Sequence, residues 1–384
     1  MITPQQLSRR VSIVGVGMTR QGDHGQTEGS ILAVQALREA MADAGIDDKH
    51  RIDGLLGAKQ YDGSGIEPVS FCRSLGITPP VTATLDYPTA AYSMHHAAAL
   101  VASGICKLVA VVYARNPAGS MRDISGAQEY DTVHGFFNAA AVHGLSWNAH
   151  MARYGTSTDV LGRIAVKQRE HARLNPLAAW TEPLTMDDYL RDEHLIWPLR
   201  SMDICKVTAG GVAILVGSAD MAREGARLPV DFLSVGRQAT HGLERGEHMS
   251  HLSRREMGQQ LYGAVGVTPK DIDLLYVYDP TTVAVAAALE NYEFCEPGGC
   301  EAFVGDGERI GLNGSLPVNT HGGHLSEGYL LGLTHHVELV RQLRGECGAR
   351  QVKGARLAQY VGGGGIRPQF YQAASLFCRG DWNA

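Results

Sequence analysis

Two residues that can transfer protons, Tyr278 and Asp279, stand between a strongly apolar segment and a segment of small residues. The apolar segment, 274–278, is typical of a buried strand, and residues 281–292 are typical of a helix. In α/β proteins, side chains between a strand and the following helix reach a cleft. We therefore expect Tyr278 and Asp279 to line a functional site, where Asp279 either orients a phenol or caps the helix.

A second group of titratable side chains surrounds a glycine pair in VNTHGGHLSEGYLLG, residues 318–332. Its titratable residues are His321, His324, Glu327 and Tyr329. Gly322 and Gly323, with Asn319 before them, predict a tight turn that brings the backbone close to a ligand. A phenol, with a pKa of about 10, is a poor nucleophile at neutral pH, but it donates protons, or accepts them once a neighbour lowers its pKa. A histidine or the glutamate of this segment is expected to act on Tyr329 in that way.

Two further tyrosines stand at the ends of predicted elements. Tyr87 precedes Pro88, which fixes the turn before a helix, so its ring either contacts substrate or fills space. Tyr360 closes a predicted strand ahead of the glycine run 362–365, and it either contacts substrate or packs in the core. The candidates for substrate binding are Tyr87, Asn319, Gly322, Gly323, His324, Tyr360 and Gly363.

The histidines and cysteines show no spacing that is typical of a metal site. The residues in question are His321, His324, His335, His336, Cys295 and Cys300. The histidines lack i, i+4 pairing with a carboxylate on one helix face, and the two cysteines have no matching second pair. Seven scattered cysteines, an odd number, indicate a reducing compartment instead of a disulfide framework. The sequence predicts no metal ligands on this chain.

Composition excludes several classes of partner. The 384 residues carry a formal charge of -6 with acidic and basic side chains intermixed, so no nucleic-acid groove is expected. No uninterrupted apolar run reaches the roughly 18 residues that span a bilayer, and the N-terminus is unlike a signal peptide. A cytoplasmic protein without membrane or nucleic-acid partners is the expectation.

Strands are predicted to alternate with helices throughout the chain. In the first part, residues 1–225, the strands are 11–16, 52–58, 108–113 and 211–216 and the helices are 30–44 and 90–103. Residues 116–200 predict an insertion that covers the site and contains a helix at 160–172. In the second part, residues 226–384, the strands are 229–235, 274–278, 316–319 and 356–361 and the helices are 254–265, 281–292 and 328–343. The repeated order predicts an internal duplication with parallel crossover units, so that one functional loop of each half reaches a shared site.

These segments resemble the thiolase superfamily over nearly the whole chain, from Val11 to about Gly365. The most specific match is 318–329, and 278–282 is similar to the His-Asp-Cys-Phe element of the branch that holds sterol carrier protein X thiolase and the actinobacterial lipid-transfer proteins. The resemblance implies an α/β protein with the duplicated five-layer α-β-α-β-α fold. It also implies a substrate site where the halves meet, and a dimer that associates edge to edge.

The chain departs from thiolases at their catalytic positions. In that family a Cys is acylated, a His activates it, and a second Cys moves the proton at the α-carbon. Tyr87, Tyr329 and Tyr360 stand at those three positions here, and Tyr278 stands where related thiolases have the His or Asn of the oxyanion site. Such a frame can hold an acyl thioester, but it cannot form the acyl-enzyme of a Claisen reaction.

Within this branch the chain resembles aldolases that release propionyl-CoA or acetyl-CoA from steroid side chains. The resemblance implies retro-aldol cleavage of a β-hydroxyacyl-CoA, with Tyr278 and Tyr329 transferring protons and His321 or a backbone N–H holding the thioester oxygen. Which tyrosine is the base stays open. A small partner with a zinc ribbon and an OB-fold is also implied, so that zinc would belong to the partner and CoA to the substrate.

Two other functions stay open. The first is acyl transfer through another thiol, for which Cys295 is the first candidate. The second is a noncatalytic subunit that binds acyl-CoA or lipid. Both differ from an aldolase in the chemical groups that they require. Acyl transfer requires a reactive thiol, and binding requires no proton-transfer group.

Overall fold

The computed structural model describes residues 7–59, 64–85, 90–116, 133–135, 139–225, 227–239, 251–362 and 371–382. Two candidates for substrate binding, Tyr87 and Gly363, lie outside these residues. The strands are β1 (Val11–Met18), β2 (Gly54–Gly57), β3 (Val81–Thr84), β4 (Leu108–Arg115), β5 (His194–Ile196), β6 (Leu199–Arg200), β7 (Gly210–Ser218), β8 (Val230–Ala239), β9 (Leu274–Val277), β10 (Leu357–Gly362) and β11 (Tyr371–Arg379). The helices are α1 (Gly29–Asp43), α2 (Pro68–Leu75), α3 (Ala90–Ala102), α4 (Ala139–Tyr154), α5 (Asp159–Arg173), α6 (Met186–Arg191), α7 (Ala219–Glu224), α8 (His251–Gly263), α9 (Thr282–Asn291), α10 (Cys300–Val304), α11 (Gly323–Ser326) and α12 (Leu333–Arg344).

Nine strands form one sheet in the order β3-β2-β4-β7-β1-β8-β11-β10-β9, and β5 and β6 form a separate hairpin. The five strands from β3 to β1 precede residue 219, and the four from β8 to β9 follow it. Only two residue pairs, Ser12 with Asp231 and Ile13 with Val230, join β1 to β8. The short junction divides the sheet into two parts that carry separate outer helices and share the central ones.

Five layers follow from the alternation of side chains along the strands. Val111 in β4 and Tyr276 in β9 face one central core, which also contains α3 and α12. Their neighbours face outward: Val112 packs in a core with α1 and α2, and Leu275 packs in a core with α8 and α9. The order of layers is therefore helices, sheet, helices, sheet, helices, as the family resemblance implied.

Strand direction differs from the prediction of parallel crossover units. Among the described strands, only β2 with β3, β2 with β4, and β9 with β10 are parallel. The remaining neighbours in the sheet are antiparallel: β7 with β4 and β1, β11 with β8 and β10, and β1 with β8. The prediction therefore holds for three pairs and was wrong for the others, since periodicity shows that a strand is buried but not which way it runs.

Two predicted elements differ in extent. The strand at 316–319 does not form, because only Val318 pairs with Leu275. The helix expected over 328–343 begins at Leu333, because the residues before it include Gly328, Leu331 and Gly332 with φ values of 148°, 57° and 84°. The loop before α12, which includes Tyr329, is therefore not helical, and its irregular backbone can enter the site.

The elements that were not predicted include α2, β3, β11 and the short helix α7, whose Ala222 packs in the same core as α1 and α2. The four residues of β3 alternate between partly and fully exposed, which is typical of an edge strand and gives no apolar run to detect. Among the helices that the structure describes, none has both the length and the apolar character that a membrane span requires.

Candidate active site

The hydroxyls of Tyr278 and Tyr329 lie 2.7 Å apart, within hydrogen-bond distance. Tyr278 directly follows β9, and Tyr329 lies between α11 and α12, so the pair joins the strand end to the glycine-containing segment. The rings meet edge to face at 70°, and their side chains are 8% and 1% exposed. The structure thus brings together the two phenols on which the expected proton transfer depends.

A backbone contact fixes the position of Tyr329. Its N–H donates to the Thr208 hydroxyl at 3.0 Å, and Thr208 donates to the side-chain oxygen of Gln21 at 3.0 Å. A Cβ on Gly328, where φ is 148°, would lie 2.6 Å from that hydroxyl. Glycine is therefore required before Tyr329, because any side chain would separate the loop from Thr208.

Asp279 is fully buried and connects three segments of the site. Its Oδ1 accepts the backbone N–H of His324 at 2.9 Å and lies 3.0 Å from Nε2 of His335. The Gln168 amide, with its nitrogen toward Asp279, donates to Oδ2 at 2.8 Å. Helix α9 begins after Thr281 without a side-chain cap, so Asp279 does not cap that helix, and its hydrogen bonds join other segments of the site.

The glycine pair and Asn319 form the turn at the centre of the segment. The Asn319 side chain accepts from the N–H of Val277 at 2.8 Å and donates to the carbonyl of the same residue at 3.1 Å. Gly322 donates its N–H to the Asn319 carbonyl at 2.8 Å. A Cβ on Gly323, where φ is 60°, would lie 2.3 Å from Oδ2 of Asp279. Asn319 thus tethers the turn to β9, and Gly323 allows the turn to approach Asp279.

Burial makes His321 and His324 poor bases. Both rings are fully buried, and this burial, together with the neighbouring His335, lowers their pKa values well below the usual range. The His324 ring packs 4.8 Å from Tyr278 and 4.9 Å from Tyr329, measured between ring centroids. At neutral pH these imidazoles are uncharged, so each offers one N–H donor and one acceptor.

Glu327 is a buried carboxyl group beside this histidine cluster. Burial raises its pKa to about 8. Asn175 donates to its Oε1 at 2.8 Å, and its Oε2 lies 3.5 Å from Nε2 of His321. The group is therefore protonated in the folded protein at neutral pH, and it can donate as well as accept.

Tyr360 lies in the central core next to the site. Its ring is 4.1 Å from that of His336, and a Cβ on Gly332 would lie 2.3 Å from its hydroxyl. Burial raises the pKa of this phenol. Within the described part of the chain its hydroxyl has no hydrogen-bond partner. These contacts place Tyr360 against the wall of the site, behind the pair formed by Tyr278 and Tyr329.

The family described as Thiolase C-terminal domain-like matches residues 237–373. The 17-hydroxy-3-oxo-4-pregnene-20-carboxyl-CoA lyase of Mycobacterium tuberculosis is 31% identical over 366 residues, which cover 88% of this chain and 92% of that lyase. The chain belongs to the thiolase superfamily. This membership and the five layers together confirm the fold class that the sequence resemblance implied.

Two further proteins place the chain in the aldolase-like branch of the thiolase superfamily. The steroid side-chain-cleaving aldolase of Thermomonospora curvata is 31% identical over 361 residues, which cover 87% of this chain and 90% of that protein. The solved Ltp2-ChsH2(DUF35) aldolase superposes with a TM-score of 0.87 at 27% identity, covering 98% of this chain and 99% of the other. The branch agrees with the loss of the nucleophilic cysteine that the sequence indicated.

None of the cysteines in this thiolase-superfamily chain has an activated thiol. Burial raises the pKa of every one of them, and it raises those of Cys205 and Cys295 to about 12. A nucleophilic cysteine needs the opposite shift, which a neighbouring cation or a helix N-terminus supplies. The thiols therefore resemble ordinary core residues.

Among the residues that the structure describes, two clusters have the donor set of a metal site. One comprises Asp279, His324 and His335, and the other His150, Glu290 and Cys300. All six residues are buried, and in each cluster the ligand atoms lie within 4.8 Å of one another. Each set comes from separate segments, which is why ligand spacing along one helix gave no sign of it.

Sequence reasoning missed the residues that support the site, namely Gln21, Gln168, Asn175, Thr208 and His335. Gln168 and Asn175 belong to the segment that the sequence showed only as a covering insertion. The sequence showed no signal of this role, because the consecutive polar residues 167–169 of α5 are typical of a solvent-exposed helix face, whereas the structure buries all three.

Proposed function

We propose that this protein cleaves a β-hydroxyacyl-CoA with a steroid or similar side chain by a retro-aldol reaction. The products are a ketone or aldehyde and a short acyl-CoA. Two relatives that cover about nine-tenths of the chain are named as a carboxyl-CoA lyase and as a steroid side-chain-cleaving aldolase. The single structural observation that carries the proposal is the 2.7 Å contact between the hydroxyls of Tyr278 and Tyr329.

The phenol pair suits a reaction that moves one proton off oxygen and one onto carbon. One tyrosine, as phenolate, removes the β-hydroxyl proton of the substrate. The β-carbon becomes a carbonyl, the Cα–Cβ bond breaks, and its electron pair remains as a CoA enolate. The other tyrosine returns a proton to the α-carbon, so that atoms and charge balance without an oxidant or a thiol.

The short phenol contact bears directly on this step. A hydrogen bond from one hydroxyl stabilises the phenolate form of the other, which makes that oxygen available as a base. Because the pair is almost fully buried, the electrostatic effect of each donor is larger than in water. Tyr278 and Tyr329 therefore act as a unit in which either oxygen can hold the proton.

Charge that develops on the thioester oxygen needs a donor that is fixed before the reaction. His321 is buried and neutral, so it has one N–H available, and in the adjacent turn the Gly322 N–H is already bonded to the Asn319 carbonyl, which leaves the Gly323 N–H as the backbone candidate. A preorganised donor of this kind contributes about 3–4 kcal/mol to the transition state of comparable reactions. We assign His321 or this turn to the oxygen, with Asp279 orienting the segment.

Acyl transfer is the less suitable function. It requires a thiolate, and burial raises the pKa of Cys295, the first candidate, to about 12. Retro-aldol cleavage and transfer therefore respond differently to alkylation of accessible cysteines, because only transfer needs a free thiol.

The comparison with a solved assembly also supports a proposal about the protein partners of this chain. The solved Ltp2-ChsH2(DUF35) aldolase is an assembly with a second protein, and we propose a small OB-fold and zinc-ribbon partner for this chain, with zinc held by the partner. We also propose a homodimer, for which the edge strand β3 offers an open side of the sheet. Seven free cysteines agree with the reducing conditions of the cytoplasm.

The direct test is turnover of a synthetic β-hydroxyacyl-CoA with a steroid ring system. The purified chain, alone and with its co-purified partner, is incubated with this substrate, and the carbonyl product and short acyl-CoA are quantified by mass spectrometry. We expect equimolar products that persist after cysteine alkylation. Thiol-dependent acyl transfer, or binding without cleavage in the presence of the partner, would contradict the proposal.

A further inference from the structure

The cluster of Asp279, His324 and His335 has the spacing of a metal-binding site. From Oδ1 of Asp279, Nε2 of His335 is 3.0 Å away and Nδ1 of His324 is 3.6 Å away. Two ligands bound tetrahedrally to zinc, each about 2.0–2.1 Å from the ion, lie roughly 3.3 Å apart. The two observed distances fall on either side of that value, and the ligand atoms of all three residues lie within 4.8 Å of one another.

We propose that Asp279, His324 and His335 bind one divalent transition-metal ion, for which zinc is the best match. Two imidazole nitrogens and one carboxylate oxygen are borderline-soft ligands, which favours zinc and its first-row neighbours over calcium or magnesium. Three protein ligands leave a fourth position for water or another small ligand. The proposal does not depend on the reaction, because its evidence and its test concern binding alone.

Contacts around the carboxylate hold it in a fixed orientation. Gln168 donates to Oδ2 of Asp279 at 2.8 Å, which leaves Oδ1 directed toward the two histidines. The backbone N–H of His324 donates to Oδ1 at 2.9 Å and draws α11 against it. Hydrogen bonds of this kind orient metal ligands, and their loss usually weakens binding about 10–100-fold.

The hydrogen bonding of His324 gives an independent reason to expect a ligand. Its ring is completely buried, yet neither ring nitrogen has a hydrogen-bond partner among the residues that the structure describes. Buried polar atoms are nearly always paired with protein, water or an ion. An ion on Nδ1 satisfies one of these nitrogens and connects it to Asp279.

In the second cluster of possible ligands, both ring nitrogens of the histidine have hydrogen-bond partners. Nδ1 of His150 is 2.8 Å from the Thr156 hydroxyl, and its Nε2 is 3.1 Å from both carboxylate oxygens of Glu290. The N–H of Cys300 also contacts Glu290, at 3.3 Å. Hydrogen bonds within the protein already satisfy this cluster, so it serves as an internal comparison and not as a second proposal.

The test loads the full-length chain with zinc or cobalt after chelator treatment and measures bound metal by mass spectrometry after desalting. We expect about one equivalent per chain. Asp279→Asn and His335→Gln should each lower this below about 0.2 equivalents, since each removes one of three ligands. The matched control is His336→Gln on the same helix, because His336 is bonded through Nδ1 to the Gly332 carbonyl and should keep full binding.

A measurement on the unaltered chain decides the outcome if a variant does not fold. X-ray absorption of the zinc-loaded protein should show only nitrogen and oxygen neighbours, at about 2.0–2.1 Å. A sulfur neighbour at about 2.3 Å would place the ion at the Cys300 cluster and overturn the assignment. So would less than about 0.1 equivalents in the unaltered chain, or equal binding by the Asp279 and His335 variants.

Discussion

Replacing either phenol with phenylalanine separates its chemical role from its packing role. Tyr278→Phe and Tyr329→Phe keep both rings and remove one hydroxyl of the 2.7 Å contact. Proton transfer by a positioned side chain contributes about 10²–10⁴-fold to a rate, so each variant should lose at least about 100-fold in kcat. If the hydroxyls act as a unit, the double variant should be no slower than the slower single variant.

The stability of these variants follows a different pattern. Each single substitution removes the hydrogen bond between the two buried hydroxyls, at a cost of about 0.5–1.5 kcal/mol. The double substitution removes both hydroxyls, so its loss should be smaller than the sum of the two single losses. Urea denaturation measures these free energies, and quantification of carbonyl product measures kcat.

Tyr276→Phe is the matched control, because Tyr276 lies in β9, two residues before Tyr278. The Tyr276 hydroxyl contacts the Thr320 hydroxyl at 2.9 Å, and Thr320 also donates to Glu338. The Thr320 hydroxyl therefore keeps a hydrogen-bond partner when Tyr276 is replaced. We expect a loss of about 0.5–1.5 kcal/mol in stability and little change in kcat. If the Tyr278 and Tyr329 variants also kept kcat within about fivefold of the unaltered protein, the reasoning about proton transfer would be refuted.

Three further substitutions test the support of the site by urea denaturation. Gly323→Ala should cost about 3 kcal/mol or more, because a Cβ would meet a carboxylate oxygen at 2.3 Å, whereas Gly345→Ala, with positive φ but open space, should cost only about 1 kcal/mol. Equal losses would show that backbone strain alone matters. Glu327→Gln should flatten the pH dependence: with a folded pKa of about 8 against a usual 4.5, the unaltered chain binds more protons when folded and loses stability from pH 4.5 to 8, by at most about 1.4 kcal/mol per pH unit. Parallel pH profiles for the two proteins would exclude this burial effect. Glu338→Gln should cost about 3–5 kcal/mol because it leaves the buried guanidinium of Arg350, now 2.8 Å from the carboxylate, without its charge partner; a loss under 1 kcal/mol would contradict this.

The strand-end position of Tyr278 and Asp279 could be predicted because a buried apolar run followed by a helix has one usual place in an α/β protein. The approach of Tyr329 could be expected only through the family resemblance, since no periodicity links residues 51 positions apart. Strand direction could not be inferred, because buried parallel and antiparallel strands show the same apolar run. The edge strand β3 was missed for the opposite reason, since its exposure removes the apolar signal.

The supporting residues were beyond prediction because their partners come from distant segments. Thr208 is 121 positions from Tyr329, whose N–H it accepts, and Asn175 is 152 positions from Glu327. Each is a common polar residue whose role appears only when the chain is folded. What the sequence does show is the unusual density of polar groups at 319–329, all of which the structure buries.

Burial of that segment decides which groups can move protons. In solution, an imidazole would be the first choice for a base near neutral pH, and the segment contains two. Removing His321 and His324 from water lowers their pKa values well below the usual range, so both rings stay neutral and are weak bases, and Glu327, with its pKa raised to about 8, is protonated at neutral pH and is not a carboxylate that could accept a proton. The same desolvation strengthens the contact between the phenols. The groups that would be the best bases in water are thereby weakened, which is why we assign the proton transfer to the tyrosine pair.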